Sequence, residues 1–191
     1  MKKFSRRRGV LTTALSPYEV ELLTSLVRQV VELVSDGEPE GFATPDPSAD
    51  AFETLTAGLQ ADPDAPEVPE DPVLRRLFPN AYPHDADASS DFRRFTERGL
   101  RTTKVTDATV VLEDLAATDG GGVDLRVRPD HVEAWLRTLT SVRLAVATRL
   151  GVTDSESADR LLQLDESDPR SYMVSVYDWL GFAQETLLAA L

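Results

Sequence analysis

Apolar residues recur at helical spacing in four stretches of this chain and alternate with polar residues in two shorter ones. Val20, Leu23, Val27, Val30, Val31 and Val34 make the first stripe. Ser16-Pro17-Tyr18-Glu19 precedes it as a capping box with proline at the first helical position. A helix over 17–36 follows, with Gly37 as its stop. A second helix, over about 88–117, is entered from the capping residues of 85–91. It carries Phe92, Phe95, Leu100, Val105, Val110, Val111, Leu112 and Leu115 as its apolar positions. Gly99 and the β-branched run near Thr102 are the points where a bend or a split is expected. The third helix, 130–150, starts at Pro129-Asp130, presents Val132, Trp135, Leu136, Leu139, Val142, Val146 and Leu150, and ends at Gly151. The fourth, 169–191, starts at Asp168-Pro169 and presents Met173, Val176, Tyr177, Leu180, Ala183, Leu187 and Leu191.

Two segments read as strands. Phe4–Arg8 and Val10–Leu15 flank Gly9 and predict a hairpin over 3–15. Val123, Leu125 and Val127 alternate with charged residues over 123–128, giving a strand with one buried face that pairs with the hairpin. The pattern is mainly α with a small antiparallel β-sheet, an α+β chain folded around one core as a single domain over 1–191. A polar connection from Thr153 to Ser167 joins the third helix to the fourth.

Between about 38 and 71 the pattern breaks down. Pro39, Pro45, Pro47, Pro63, Pro66 and Pro69 punctuate an acidic stretch that reads as a partly disordered insertion. One short helix, from Ser48 to Gln60, interrupts it and buries Phe52, Leu55 and Leu59. Asp71-Pro72 then starts a short turn through Val73, Leu74 and Leu77.

Charge sharpens this picture. The net charge is −13, but residues 36–91 alone carry 14 acids and two bases, while residues 1–35 carry six bases and three acids. The acidic stretch is either a solvated loop or a surface that recruits a basic partner. An acidic chain is a poor DNA binder, because affinity for phosphate comes largely from lysine and arginine. Lys2, Lys3, Arg6, Arg7 and Arg8 are the local exception, read as a solvated strand edge. No apolar run reaches the roughly 20 residues of a membrane span, and no apolar segment follows the basic start as in a signal peptide. The expected location is the cytoplasm. With no cysteine there is no disulfide, thiolate or cysteine-based zinc chemistry.

No nucleophile elbow, Walker loop or dinucleotide fingerprint is present. His84 and His131 are far apart, and Asp85, Asp87, Ser89 and Asp91 lack the glycine and glutamate of a calcium loop. No catalytic residue, metal ligand or cofactor is nominated. Two charges are unusual, because Arg143 and Asp178 fall within apolar stretches and a desolvated charge needs a partner. Pairing of Arg143 with Asp178, or with another acid nearby, across the third and fourth helices is expected, either to set their register or to leave an arginine for a partner.

Leu77-Phe78-Pro79-Asn80-Ala81-Tyr82, Asp91-Phe92-Arg93-Arg94-Phe95-Thr96, Ala134-Trp135-Leu136, Arg143-Leu144-Ala145, Thr148-Arg149-Leu150-Gly151 and Tyr177-Asp178-Trp179-Leu180-Gly181 together make a distinctive set. In these motifs the chain resembles the AosR-like family of actinobacterial oxidative-stress regulators, long classed as of unknown function and encoded near the ClpS adaptor. The resemblance spans nearly the whole chain. It implies a transcription regulator that cooperates with an extracytoplasmic-function sigma factor, and it marks Trp135, Arg143, Arg149, Asp178 and Trp179 as partner-binding or structural residues. The cysteine-based redox sensing of that type does not carry over to a chain without cysteine.

The expected function is therefore a non-enzymatic regulatory protein that contacts a sigma factor or RNA polymerase. The alternatives are an adaptor or modulator of Clp-dependent proteolysis and an enzyme with an unrecognised site. Trp179, Phe182 and Leu188 lie beyond the main stripe of the last helix, as a second buried face or as the patch of a homodimer.

Overall fold

The computed structural model describes residues 1–35, 68–161, 163–165 and 167–191. The expected helix over 48–60, the stop at Gly37 and the order of the acidic stretch up to residue 67 lie outside the described residues. The rest is mainly helical with a small three-stranded antiparallel sheet.

Strands β1 (Ser5–Arg7) and β2 (Val10–Thr13) form the hairpin. Its two-residue turn is Arg8-Gly9, both at positive φ (52° and 83°). This is the mirror-image turn whose twist matches that of paired strands. Strand β3 (Leu125–Val127) lies antiparallel on the other side of β2, with Leu11 opposite Val127 and Thr13 opposite Leu125. Leu11, Leu125 and Val127 point into the core, while the side chains of β1 stay in solvent. The basic edge is thus a solvated strand edge, as charge and position predict.

Helix α1 (Pro17–Ser35) starts as its capping box requires. The Glu19 carboxylate accepts from the Ser16 amide at 2.8 Å and from the Ser16 hydroxyl at 2.9 Å. Burial pushes the Glu19 carboxyl up, but the amino terminus and Ser16 donate to it and bring it below its usual value. Asp71 caps α2 (Pro72–Leu77) through the Val73 amide at 2.7 Å, and Asp85 caps α3 (Ala86–Ala116) through the Ala88 amide at 2.9 Å. A 3-10 turn, Pro129–His131, leads into α4 (Val132–Arg149), and Gly151 closes it at φ 78°. A short helix that the polar pattern does not reveal, α5 (Ser155–Leu161), follows. Its only local sign is the cap: the Asp154 carboxylate takes the Ser157 amide at 2.8 Å. The last helix, α6 (Ser171–Ala189), begins two residues later than Asp168-Pro169 suggests. Asp168 is instead spent on the preceding turn, where the Arg170 guanidinium and amide hold its carboxyl down to about 2.

Helix α4 is the hub. It packs against α1, α2, α3 and α6, and its inward face, Trp135, Leu139, Val142 and Val146, joins one continuous apolar cluster. Val27, Val111, Leu115, Leu180 and Leu187 are fully shielded in the same cluster. Each such side chain contributes roughly 1.5–3 kcal/mol by leaving water.

The glycine turn between α3 and β3 is a tight fit at one position. At Gly121, with φ 90°, an added Cβ would stand 2.9 Å from the Pro17 nitrogen and 3.0 Å from the Ser16 carbonyl carbon. At Gly120, with φ 60°, it would meet nothing within 4 Å. Gly121→Ala is therefore expected to cost well over the roughly 1 kcal/mol of a strained φ, because the start of α1 must move as well. Gly120→Ala carries the φ cost alone. Thermal melting of the two variants checks this, and equal melting temperatures would refute the contact argument.

Helix α3 departs from its sequence pattern. It is one unbroken helix of 31 residues, with no split at Gly99. Moreover Phe92, Phe95 and Leu100, expected in the core, are exposed, while Arg93, Glu97 and Arg101 are buried. The three charged residues are four apart and so stack on one side of the helix. Glu97 sits between two guanidiniums. Arg93 donates to one carboxylate oxygen, and Arg101 to the other through Nε at 3.0 Å and Nη2 at 2.7 Å. Arg93 also donates to the Asn80 side chain at 2.9 Å and to the Phe78 carbonyl at 3.4 Å. Arg101 donates to the Val34 carbonyl at the end of α1 and lies 4.8 Å above the Phe78 ring. The second positive charge thus meets the negative end of α1, where a helix dipole favours a cation. Two of the quoted motifs, 77–82 and 91–96, meet here.

Candidate functional site

The five residues nominated from sequence divide into three structural ties, one half-buried cation and one exposed carboxylate, Asp178. Trp135 is almost wholly buried and donates its indole N–H to Asp114 on α3 at 2.8 Å. Trp179 donates to Glu19 at 3.2 Å and so fastens α6 to the capping box of α1. Arg149 bonds Asp71 at 2.6 Å and fastens the end of α4 to the cap of α2. Burial raises the Asp71 carboxyl, but Arg149 and the Val73 amide outweigh it and lower it overall. These three ties are local to the fold.

Arg143 differs. Its Nη1 donates to Gln184 Oε1 at 2.9 Å, and Gln184 in turn donates to Thr140 at 2.8 Å. Its guanidinium carbon lies 5.3 Å from the centre of the Tyr177 ring. An added Cβ on Gly181 would touch Nη2 at 3.5 Å, so a small residue lets α6 lie close to the cation. Nε is shielded from solvent and donates to nothing. The side chain is half-buried, and its partners among the described residues are Gln184 and the Tyr177 ring, with no carboxylate of those residues paired to it. The expected Arg143–Asp178 pair is not formed, and Asp178 is exposed. The reason is helical phase. Asp178 and Gln184 are six residues apart on α6, which at 3.6 residues per turn places them about 120° apart, and it is the Gln184 side that lies against α4.

Other polar clusters are closed systems. His131 Nδ1 lies 3.0 Å from both oxygens of Asp114, and its Nε2 lies 2.7 Å from the Arg128 guanidinium. The far ring nitrogen thus faces a cation where a triad would place a hydroxyl. Lys104 donates to Ser141 at 3.2 Å; burial lowers its ammonium below the usual value, with Asp107 opposing. Among the described residues no group of three or more His, Asp or Glu is placed to hold a metal. An apolar groove of about 330 Å³ runs between α1, α2, α4 and α6, lined by Leu26, Val30, Val73, Val142 and Met173, with Arg149 among its walls. It converges no set of acids, bases or nucleophiles.

The arrangement of Trp135, Arg143 and Arg149 on one hub helix can be set beside known proteins. A family model described as a domain of unknown function, DUF2017, matches residues 1–191. The chain belongs to the DUF2017 family. The putative oxidative stress regulator AosR of Mycobacterium leprae is 29% identical to it over 192 residues, covering 94% of this chain and 81% of the relative. The oxidative stress regulators AosR of Mycobacterium bovis and Mycobacterium tuberculosis are 28% identical with the same coverage. No solved structure matches.

In this DUF2017 chain, sequence reading singled out Arg143, and Tyr177 and Gly181 as members of a motif, but not Thr140 or Gln184. The last two are ordinary helix-surface residues in sequence, and only the phase of α6 against α4 brings all four to the arginine. The Arg93–Glu97–Arg101 ladder did leave a sign, the four-residue spacing of alternating charges. No helix of the described residues is long and apolar enough to cross a membrane.

Proposed function

We propose that this chain is a non-enzymatic regulatory protein that acts through protein–protein contacts, with Arg143 as a principal contact residue. The observation that carries this reading is the incomplete bonding of the guanidinium. It is stacked on Tyr177 and held by Gln184, and no carboxylate among the described residues pairs with it. Arginine and tyrosine in such a setting are the residue types that dominate binding energy at protein interfaces. The guanidinium fork is also shaped to receive a carboxylate through two parallel bonds. The relatives named as oxidative stress regulators support a regulatory role. The partner we assign is the transcription machinery, as RNA polymerase or a sigma factor, engaged through an acidic side chain. The chain has no cysteine, so the signal that controls it is not thiol oxidation within this chain.

The test is direct binding of the purified protein to RNA polymerase holoenzymes carrying the cell's alternative sigma factors. Arg143→Ala is expected to weaken binding by about 30-fold, the size of an interface hot spot. Arg143→Lys keeps the charge but not the fork and should fall between. Asp178→Asn, on another side of α6, should bind as the parent does. Binding unchanged in Arg143→Ala, or no binding by the parent protein, would overturn the proposal.

A further inference from the structure

Among the described residues the exposed face of α3 is packed neither into the core nor against Arg143, and its composition is unusual. Ala88, Phe92, Phe95, Gly99, Thr103, Thr106 and Val110 follow one another along it without a charge. Phe92, Phe95 and the flanking Leu100 are 44%, 47% and 48% exposed, and Tyr82 stands edge-on to Phe92 at 6.0 Å. The charges a helix normally turns to solvent, Arg93, Glu97 and Arg101, are on the inner side instead.

Gly99 stands in the middle of this face. A glycine inside a helix is destabilising relative to alanine, yet a Cβ at position 99 would meet nothing within 4 Å in the folded chain. Nothing among the described residues explains the missing side chain. The order of residues on either side supplies an explanation. Phe95 and Thr103 are four residues from Gly99, Phe92 and Thr106 are seven, and Ala88 and Val110 are eleven. Four, seven and eleven are the steps that return to one helix face. A large residue on one side is thus matched by a smaller one at the same distance on the other.

From this self-complementary register we infer that α3 is a self-association face, on which a second copy of the chain lays its own α3 antiparallel about a twofold axis at Gly99. In that arrangement Phe95 of each copy meets Thr103 of the other, Phe92 meets Thr106, and the backbones cross where neither has a side chain. A parallel pairing would set phenylalanine against phenylalanine and threonine against threonine. Two molecules of net charge −13 repel each other, and an uncharged stripe lets them touch without opposing like charges. The stripe is about 34 Å long and about 10 Å wide, roughly 350 Å² against the roughly 800 Å² per partner of a standard stable interface. The dimer is therefore weak and reversible. The α6 patch suggested by sequence is a poorer candidate. Trp179 is bonded to Glu19, and Phe182 and Leu188, six residues apart, point about 120° away from each other.

Sedimentation equilibrium of the full chain from about 10 µM to about 1 mM, the range of weak complexes, tests this. The mass of 21.0 kDa is expected to double with rising concentration. Gly99→Gln should abolish the dimer while raising the melting temperature, since the helix gains and only the crossing is blocked; misfolding would lower both. Phe95→Asp should also abolish it, and Phe182→Asp should leave it intact. Because the chain has no other cysteine, Gly99→Cys gives a second measurement, with a disulfide-linked dimer expected on mild oxidation and no linked dimer from Phe182→Cys. A constant 21.0 kDa mass of the parent protein, a dimer that survives Gly99→Gln and Phe95→Asp, or one dissolved by Phe182→Asp would overturn the inference.

Discussion

Glu97→Ala is expected to be the most damaging single substitution among the described polar residues, costing about 3–5 kcal/mol, the usual penalty for breaking a buried ion pair. Glu97 is 3% exposed, and Arg93 and Arg101 are 8% and 2%. Removal of the carboxylate leaves two guanidiniums facing each other out of water, with only carbonyls and the Asn80 amide to receive them. In a chain of this size the loss corresponds to roughly 10–15 °C in melting temperature. Glu97→Gln, which keeps an acceptor but no charge, should fall between. The triple variant Arg93→Met, Glu97→Leu, Arg101→Met removes all three charges together and should be far less harmful than Glu97→Ala, because an apolar replacement of a whole buried network is often neutral. Urea titration of the three variants measures the differences. A triple variant as unstable as Glu97→Ala would show that charge isolation is not the cause.

The second large effect is expected at Trp135. Trp135→Ala removes a side chain that is 1% exposed at the centre of the hub helix, with an expected cost of about 3–5 kcal/mol for the cavity. It also takes from Asp114 its indole donor at 2.8 Å, leaving His131 as the remaining partner. Trp135→Phe separates the two contributions, since it keeps most of the volume and loses only the hydrogen bond, at about 1.5–3 kcal/mol for a bond to a charged acceptor. Double-variant analysis with Asp114→Asn should show coupling, because the two residues touch. Additive losses would place the whole effect of Trp135 in packing.

These two sites show what sequence reading reached and where it stopped. Trp135 was predictable as core because the stripe of α4 is unambiguous and its tryptophan falls on it. The starts of α1, α2 and α3 were predictable because a cap is decided by residues two or three apart, as with Ser16 and Glu19 or Asp71 and Val73. Helix α3 existed where expected, but its inner and outer faces were not where hydrophobicity placed them. Arg93, Glu97 and Arg101 neutralise one another and so can be buried, which frees Phe92 and Phe95 to face outward; that exchange depends on the end of α1 and on Phe78, 67 and 23 residues from Arg101 in sequence. Arg143 was singled out as a charge in an apolar stretch. Its partner was misread because the choice between Asp178 and Gln184 is settled by how α6 is rotated against α4, which no spacing within either helix encodes.

The ladder also sets a spacing. Arg101 grips the last turn of α1 at Val34, and Arg93 grips Phe78 and Asn80 just beyond α2. The two grips lie on either side of the chain from 35 to 77. Because both grips are made by α3, the spacing of the end of α1 from Phe78 is set by one continuous helix and not by the chain that joins them.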